Sequence, residues 1–303
     1  MTDYIRLATR KSPLALKQAN MVKEHLLVNN TFKKIEIVPM TTSGDKVDSE
    51  TFKKHGGKGL FLKELEKLLV DSKADIAVHS MKDVPALIDS KFEIISVMKR
   101  EDPRDVFISK KYNSLGDITS GTIGSSSPRR QSIIKHKNKN IKTLELRGNI
   151  NTRLDKMDKN KIDGIILAKA GINRMDLQHL ITEELDLDEF VPSPGQGTLC
   201  IEYLSNNLII KRKLKKIIDH NTEICSAAER LFARSMQGDC LSPIGAHAVI
   251  KNDVLTITGY VSSLDGKKYI KNKITGNKKD FNKLANNLSK IFIDMGSKKL
   301  LRC

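Results

Sequence analysis

Two stretches of this chain alternate short apolar runs with segments of helical period, a pattern that fits βαβ units with mostly parallel sheets and little else. In the first stretch, residues 4–8, 34–40 and 75–79 read as strands, and 13–28 and 59–71 as helices. In the second, residues 122–124, 141–146 and 163–168 read as strands, with helices expected over 127–136 and 150–159. Ser12-Pro13 and Ser127-Pro128 mark helix starts. The serine hydroxyl caps free N–H groups there, and proline at the first helical position gives up no hydrogen bond. Ala8-Thr9-Arg10-Lys11-Ser12-Pro13 and Gly124-Ser125-Ser126-Ser127-Pro128-Arg129 both join a strand to a proline-started helix, a faint internal echo of paired lobes.

Proline and glycine punctuate the chain at two further places. Arg100-Glu101-Asp102-Pro103-Arg104 and Val191-Pro192-Ser193-Pro194-Gly195-Gln196-Gly197 read as crossings, so the chain leaves a first lobe, builds a second and returns. The expected domains are residues 1–99 with 198–217, residues 104–193, and a third over 219–303. In the third, residues 222–236 form an amphipathic helix with Ile224, Ala228, Leu231 and Phe232 on one stripe. Residues 254–261 and 268–274 alternate around Leu264-Asp265-Gly266 as an antiparallel hairpin, and a last helix carries Phe281, Leu284, Leu288, Ile291, Phe292 and Met295 up to Gly296. This is a small α+β domain.

The chain carries 53 Lys+Arg against 36 Asp+Glu, a net charge of +17, which raises the question of nucleic acid. Of those cations 13 are Arg and 40 are Lys, and the lysines are scattered beside many Asn, the pattern of a solvated surface. No nucleic-acid partner is expected. No apolar run reaches the roughly 18 residues of a membrane span, and the start MTDYIRLATR passes straight into a strand pattern without a leader, so a cytoplasmic protein is expected. Cys200, Cys225, Cys240 and Cys303 include no CxxC pair and read as separate thiols.

The arginines are the more informative cations, because they fall in loops after strands. Open α/β sheets collect anions at such helix N-termini, and a guanidinium holds a carboxylate through two parallel bonds. Arg10 with Ser12, Ser125 and Ser127 with Arg129 and Arg130, and Arg147 with Arg153 occupy these loops, which points to a ligand with several acidic groups; for any one of these arginines, a surface position or a structural ion pair is the alternative. Lys82 and Asp83 follow the apolar strand of Ala74-Asp75-Ile76-Ala77-Val78-His79. A carboxylate there can stabilise a developing cation or move a proton, while a turn with solvated charges is the plainer alternative. His79, inside the apolar run, is read as a satisfied core histidine. Cys240, on a glycine-flanked loop, reads as an accessible thiol, and Cys200 and Cys225 as core. His220, Cys225, Cys240 and His247 match no zinc spacing, so no metal is expected. Residues 43–59, with Lys58 and then Phe61, suit a lid over a cleft, with an ordinary surface loop as the alternative.

Leu7 to Leu16, Gly56 to Leu60, Ala74 to Pro85, Arg100 to Asp105, Leu146 to Asn149, Pro194 to Gly197 and Cys240 to Gly245 together resemble the hydroxymethylbilane synthase, or porphobilinogen deaminase, family nearly end to end. The segment His79-Ser80-Met81-Lys82-Asp83-Val84-Pro85 is the most specific. The resemblance implies an α/β fold of two doubly wound, periplasmic-binding-protein-like lobes plus the smaller C-terminal domain, acting as a cytoplasmic monomer. It implies a transferase that joins four porphobilinogen molecules head to tail with loss of ammonia, on a dipyrromethane primer. By motif position the primer is attached through a thioether to Cys240, and Asp83 is the catalytic carboxylate. Arg10, Ser12, Lys82, Ser125, Ser127, Arg129, Arg130, Arg147, Arg153 and Gln196 match positions that hold the acetate and propionate groups of primer and substrate. Asp239, Pro128, Leu241 and Ser242 depart from the family's usual residues, and three of these four lie beside Cys240. A non-catalytic two-lobed anion-binding protein is the alternative, sharing the arginine loops but needing neither Asp83 nor Cys240.

Overall fold

A computed structural model of the chain describes residues 3–41, 62–237 and 242–301. In chain order its strands are β1 (Tyr4–Arg10), β2 (Lys34–Met40), β3 (Ile76–Ser80), β4 (Phe92–Ile95), β5 (Asp105–Ile108), β6 (Gly121–Gly124), β7 (Ile141–Leu144), β8 (Gly164–Ala168), β9 (Glu183–Glu184), β10 (Leu199–Leu204), β11 (Ile244–Lys251), β12 (Val254–Ser262) and β13 (Tyr269–Asn277). The helices are α1 (Pro13–Val28), α2 (Lys63–Val70), α3 (Pro128–Lys137), α4 (Ile150–Lys159), α5 (Lys169–Arg174), α6 (Leu208–Lys215), α7 (His220–Ser235), α8 (Phe281–Asp294) and α9 (Ser297–Leu300). They build two compact units, Met1–Glu101 with Thr198–Glu223 and Asp102–Gly197 with Ile224–Cys303.

The first unit holds a sheet in the order β2-β1-β3-β10-β4. β1 pairs in parallel with β2 and β3, whereas β10 is antiparallel to β3 and β4, so one strand of the five runs against the rest. Alternation along β1 sends Ile5 and Leu7 to the face covered by Ala19, Val22 and Leu26 of α1, and Ala8 to the face covered by Leu65, Leu68 and Leu69 of α2. Both faces are therefore buried, as mostly parallel sheets require.

The second unit repeats the plan with the order β7-β6-β8-β5-β9, in which β5 is the reversed strand. Phe107, Ile123 and Ile166 pack with Ile133 and Ile134 of α3, while Val106, Ile108, Ile165 and Leu167 pack on the other side with Met157 of α4 and Ile172 of α5. In each sheet the reversed strand is the one that the chain enters directly from the other unit: β5 just past Glu101, β10 just past Gly197. The same unit contains the antiparallel sheet β11-β12-β13, with α7 and α8 on it. Phe232 and Phe292, both fully buried, meet edge-on at 4.9 Å, and burying each contributes about 1.5–3 kcal/mol.

Several elements lie where the sequence pattern gave no signal. β5 is buried at all four residues and shows no alternation, and it follows directly on a segment read only as a crossing. β4, β9, β11, α5 and α6 are also additional, and α7 starts at His220, so the division between the two compact units falls inside that helix. Gly266 closes the expected hairpin between β12 and β13 with φ +72°, and a Cβ there would lie 2.4 Å from the Ser132 carbonyl oxygen of α3.

Candidate active site

In the first unit, β3 runs out at Ser80 into a single 3-10 turn, Met81–Asp83. The burial pattern explains the turn's presentation: Met81 and Val84 are buried anchors, and between them Lys82 is half-buried and Asp83 exposed. Three consecutive residues are tied down before the turn. His79 Nε2 lies 2.9 Å from Glu202 Oε2, Gln18 Nε2 donates to Ser80 Oγ at 2.9 Å, and the Met81 N–H donates to the Thr198 carbonyl at 2.9 Å. β1 is the parallel neighbour of β3, so Arg10 at its carboxyl end stands on the same sheet edge as Lys82 and Asp83. Ser12 caps α1, accepting from the Ala15 N–H, with Pro13 opening the helix. Arg10, Ser12, Lys82 and Asp83 thus gather at the edge where open α/β sheets present ligand groups.

In the second unit the loop after β6 holds Ser125, whose Oγ accepts from the Ser127 N–H at 3.2 Å, and Ser127, which caps α3 by accepting from the Arg130 N–H. Pro128 fits here as the residue that starts α3. Arg129 and Arg130 follow in the first helical turn and are buried rather than exposed to solvent. Both bind Asp105 of β5: Arg129 Nη2 lies 2.8 Å from Oδ2, and Arg130 Nη2 2.7 Å from Oδ1. Arg129 Nη1 also donates to the Val191 carbonyl and Arg130 Nη1 to the Ile166 carbonyl. Gln196 joins the cluster, its Nε2 donating to Asp105 Oδ1 at 2.8 Å and to the Pro103 carbonyl at 2.7 Å.

Electrostatics fix the character of this cluster. Burial alone would raise the Asp105 pKa, but the two guanidiniums and the hydrogen bonds from Arg130 and Gln196 override it and hold the carboxyl well below its usual range. Burial draws the Arg129 pKa down, with Asp105 opposing and Arg130 adding to the fall. Two buried cations against one buried anion leave one positive charge in excess, and Arg129 Nε is buried without a hydrogen-bond partner. An anionic ligand group such as a carboxylate suits that remainder.

Arg147 and Arg153 flank the start of α4, half-buried. Arg147 Nε donates to Glu145 Oε1 at 2.6 Å, and Arg153 Nε to the Gly148 carbonyl at 2.8 Å. Gly148 takes φ +122°, and Asn149 caps the helix by accepting from the Thr152 N–H. β6 and β7 are parallel neighbours, so the Ser125–Arg130 loop and the Arg147 loop leave the same edge of their sheet.

Cys240, Lys58 and Phe61, with Asp239 and Leu241, lie outside the described residues. Cys200 and Cys225 are buried, and His79 is a core histidine with a partner. Among the described residues no group of three or more His, Cys, Asp and Glu could hold a metal ion. Sequence reasoning passed over three buried acids: Asp105, Glu202 and Glu229. Glu229 Oε2 accepts from the Gly195 N–H and Oε1 from the Ala248 N–H, both at 2.6 Å. For Glu202 a signal existed, a single acid in the otherwise apolar run Leu199-Cys200-Ile201-Glu202-Tyr203-Leu204.

The family model for the porphobilinogen deaminase dipyrromethane cofactor binding domain matches residues 5–212, and that for the porphobilinogen deaminase C-terminal domain matches residues 223–294. The chain is 39% identical over 298 residues to porphobilinogen deaminase of Alkaliphilus metalliredigens, covering 98% of this chain and 94% of that one. It is 40% identical to porphobilinogen deaminase of Francisella tularensis, covering 98% of both. Among solved structures, the methionine-binding protein MetQ aligns with TM-score 0.44 at 12% identity over 70% of this chain and 89% of its own. The VFT2 domain of Bordetella pertussis BvgS aligns with TM-score 0.44 at 12% identity over 75% of this chain and 92% of its own.

Proposed function

The chain belongs to the porphobilinogen deaminase family, and from that premise we propose that Asp83 is its catalytic carboxylate and Cys240 the attachment point of its cofactor. The reaction is the family's: four porphobilinogen molecules are joined head to tail with loss of ammonia, and hydrolysis releases hydroxymethylbilane. When bound, the dipyrromethane supplies the pyrrole end on which the chain grows.

The observation that carries the assignment of Asp83 is its turn, exposed between two buried anchors and fixed from α1, from β10 and from Thr198 just before β10. Loss of ammonia from the substrate's aminomethyl group leaves positive charge on the pyrrole. A preorganised carboxylate lowers the energy of that charge and can take up the proton lost when the new bond is made. Lys82, Arg10 and Ser12 beside it present a cation, a guanidinium and a hydroxyl to substrate carboxylates. Ser125, Ser127, Arg129, Arg130, Arg147, Arg153 and Gln196 are assigned to the acetate and propionate groups of cofactor and product. The excess buried charge of the Arg129–Arg130–Asp105 cluster supports this for the arginine pair. Lys58 and Phe61 are assigned to a lid.

The proposal also takes the chain as a cytoplasmic monomer of three domains, 1–99 with 198–217, 104–193 and 219–303, without a nucleic-acid partner. Its substrate is a small dicarboxylic acid, for which dispersed lysines suffice. No helix among the described residues is long and apolar enough to cross a membrane.

The test is the intact mass of the purified protein under denaturing conditions, before and after porphobilinogen is added. A covalent excess equal to two linked pyrroles, with consumption of porphobilinogen, is expected. A bare mass under both conditions overturns the proposal.

A further inference from the structure

The pair His79–Glu202 lies beneath α2 and takes no part in the chemistry described above. Register sets His79 opposite Cys200 and Glu202 opposite Ala77, which makes the two side chains diagonal neighbours on one sheet face. That face is the one roofed by Leu65, Leu68 and Leu69. The imidazole is 8% exposed and the carboxylate 0%, with Nε2 and Oε2 2.9 Å apart. Glu202 Oε1 is buried with no hydrogen-bond partner. A second acid, Glu66 of α2, faces the pair. Its pKa is raised by burial and by the Glu202 charge, with His79 opposing, and Lys63 and Asp89 are the other charges acting on it.

A fully buried carboxylate with one oxygen unused is an expensive way to fill a strand interior, since an amide or apolar side chain of the same size avoids most of the desolvation. Its cost at that place points to a use other than stability. Its hydrogen-bonded partner is His79, which with Ser80 and Met81 forms the run of three anchored residues leading straight into Lys82 and Asp83. We infer that Glu202 is a positioning residue for Asp83: through His79 it fixes the end of β3, and so the place from which the turn presents the carboxylate. The inference rests on Asp83 being the working carboxylate.

The experiment is steady-state turnover of porphobilinogen by the holoenzyme, comparing the wild type with Glu202→Gln, His79→Gln and the double variant. Intact mass and Tm are measured on each. Glutamine keeps the volume of Glu202 and removes its charge, and a displacement on the order of 1 Å at the reacting group costs up to about 100-fold. The expected result is a kcat lowered about tenfold or more in each single variant, KM within about twofold of wild type, the covalent cofactor retained, and the double variant no worse than either single, as for groups acting as one unit. A kcat within about twofold of wild type, a rise in KM alone, or losses that multiply in the double variant overturns it. If Glu202→Gln fails to fold, His79→Gln decides alone by the same split of kcat and KM. A wild type without turnover defeats the proposed function instead, which keeps the two failures apart.

Discussion

Asp105→Asn removes the one carboxylate that two buried guanidiniums share. The wild-type cluster is desolvated, with Asp105 fully buried, Arg129 2% and Arg130 6% exposed. Replacing the carboxylate by a neutral amide leaves two like charges side by side in a desolvated site. Removing one partner of a buried ion pair costs about 3–5 kcal/mol, and because this carboxylate serves both arginines the upper half of that range, about 4–5 kcal/mol, is expected. For a cooperative unit of this size that corresponds to roughly 10–15 °C in Tm. Calorimetry and urea denaturation measure it, with the m-value unchanged.

The pH dependence provides a second reading of the same variant. The folded pKa of Asp105 is depressed below its unfolded value of about 3.9. Its contribution is therefore complete above that pH and is lost as pH falls through the folded value. Stability of Asp105→Asn should fall less steeply on acidification, by up to about 1.4 kcal/mol per pH unit. A triple variant with Asp105, Arg129 and Arg130 all replaced by apolar residues of similar volume should recover much of the loss. A loss under about 1 kcal/mol, or an unchanged acid slope, would refute the view that Asp105 carries the buried charge of this cluster.

Asp83→Asn should retain the fold and the covalent cofactor while kcat drops on the order of 100- to 10,000-fold; turnover near the wild-type rate removes Asp83 from the chemistry. Cys240→Ser should give a protein whose denatured mass lacks the two pyrroles, and an adduct that persists assigns the attachment to another residue. Gly266→Ala should destabilise by about 2 kcal/mol, because alanine disfavours φ +72° and its methyl would press on the Ser132 carbonyl 2.4 Å away; an unchanged urea midpoint shows that the hairpin relaxes at no cost.

Much of the fold was legible because its signals are local. Ser12-Pro13 and Ser127-Pro128 start α1 and α3, and the buried-exposed rhythm of β1 assigns its faces. Two other strands, β5 and β11, were harder. β5 has four residues, all buried, and β11 is built of small residues in Ile244-Gly245-Ala246-His247-Ala248, so neither shows a strong period of two. At the site, Lys82 and Asp83 could be placed on a turn because an apolar strand ends there. The role of Arg129 and Arg130 as partners of Asp105 could not be read, since it depends on β5 lying two strands away from β6 with β8 between. Gln196 shares that dependence, being 91 residues from Asp105 in sequence.

The place of β10 between β3 and β4 bears on how the chain is made. Among the described strands β10 is the one neighbour of β4, and it closes the open side of β3. A chain emerging from the ribosome can assemble β2, β1 and β3 early, but β10 is translated only after β5 to β9. At about 5–20 residues per second, β3 waits roughly 10 s with an unpaired edge. The pairing that follows closes a long loop, the kind of contact that slows folding. The first sheet to begin is thus completed only after the second sheet's strands have been translated, and release of the chain before Leu204 leaves β4 with nothing to join.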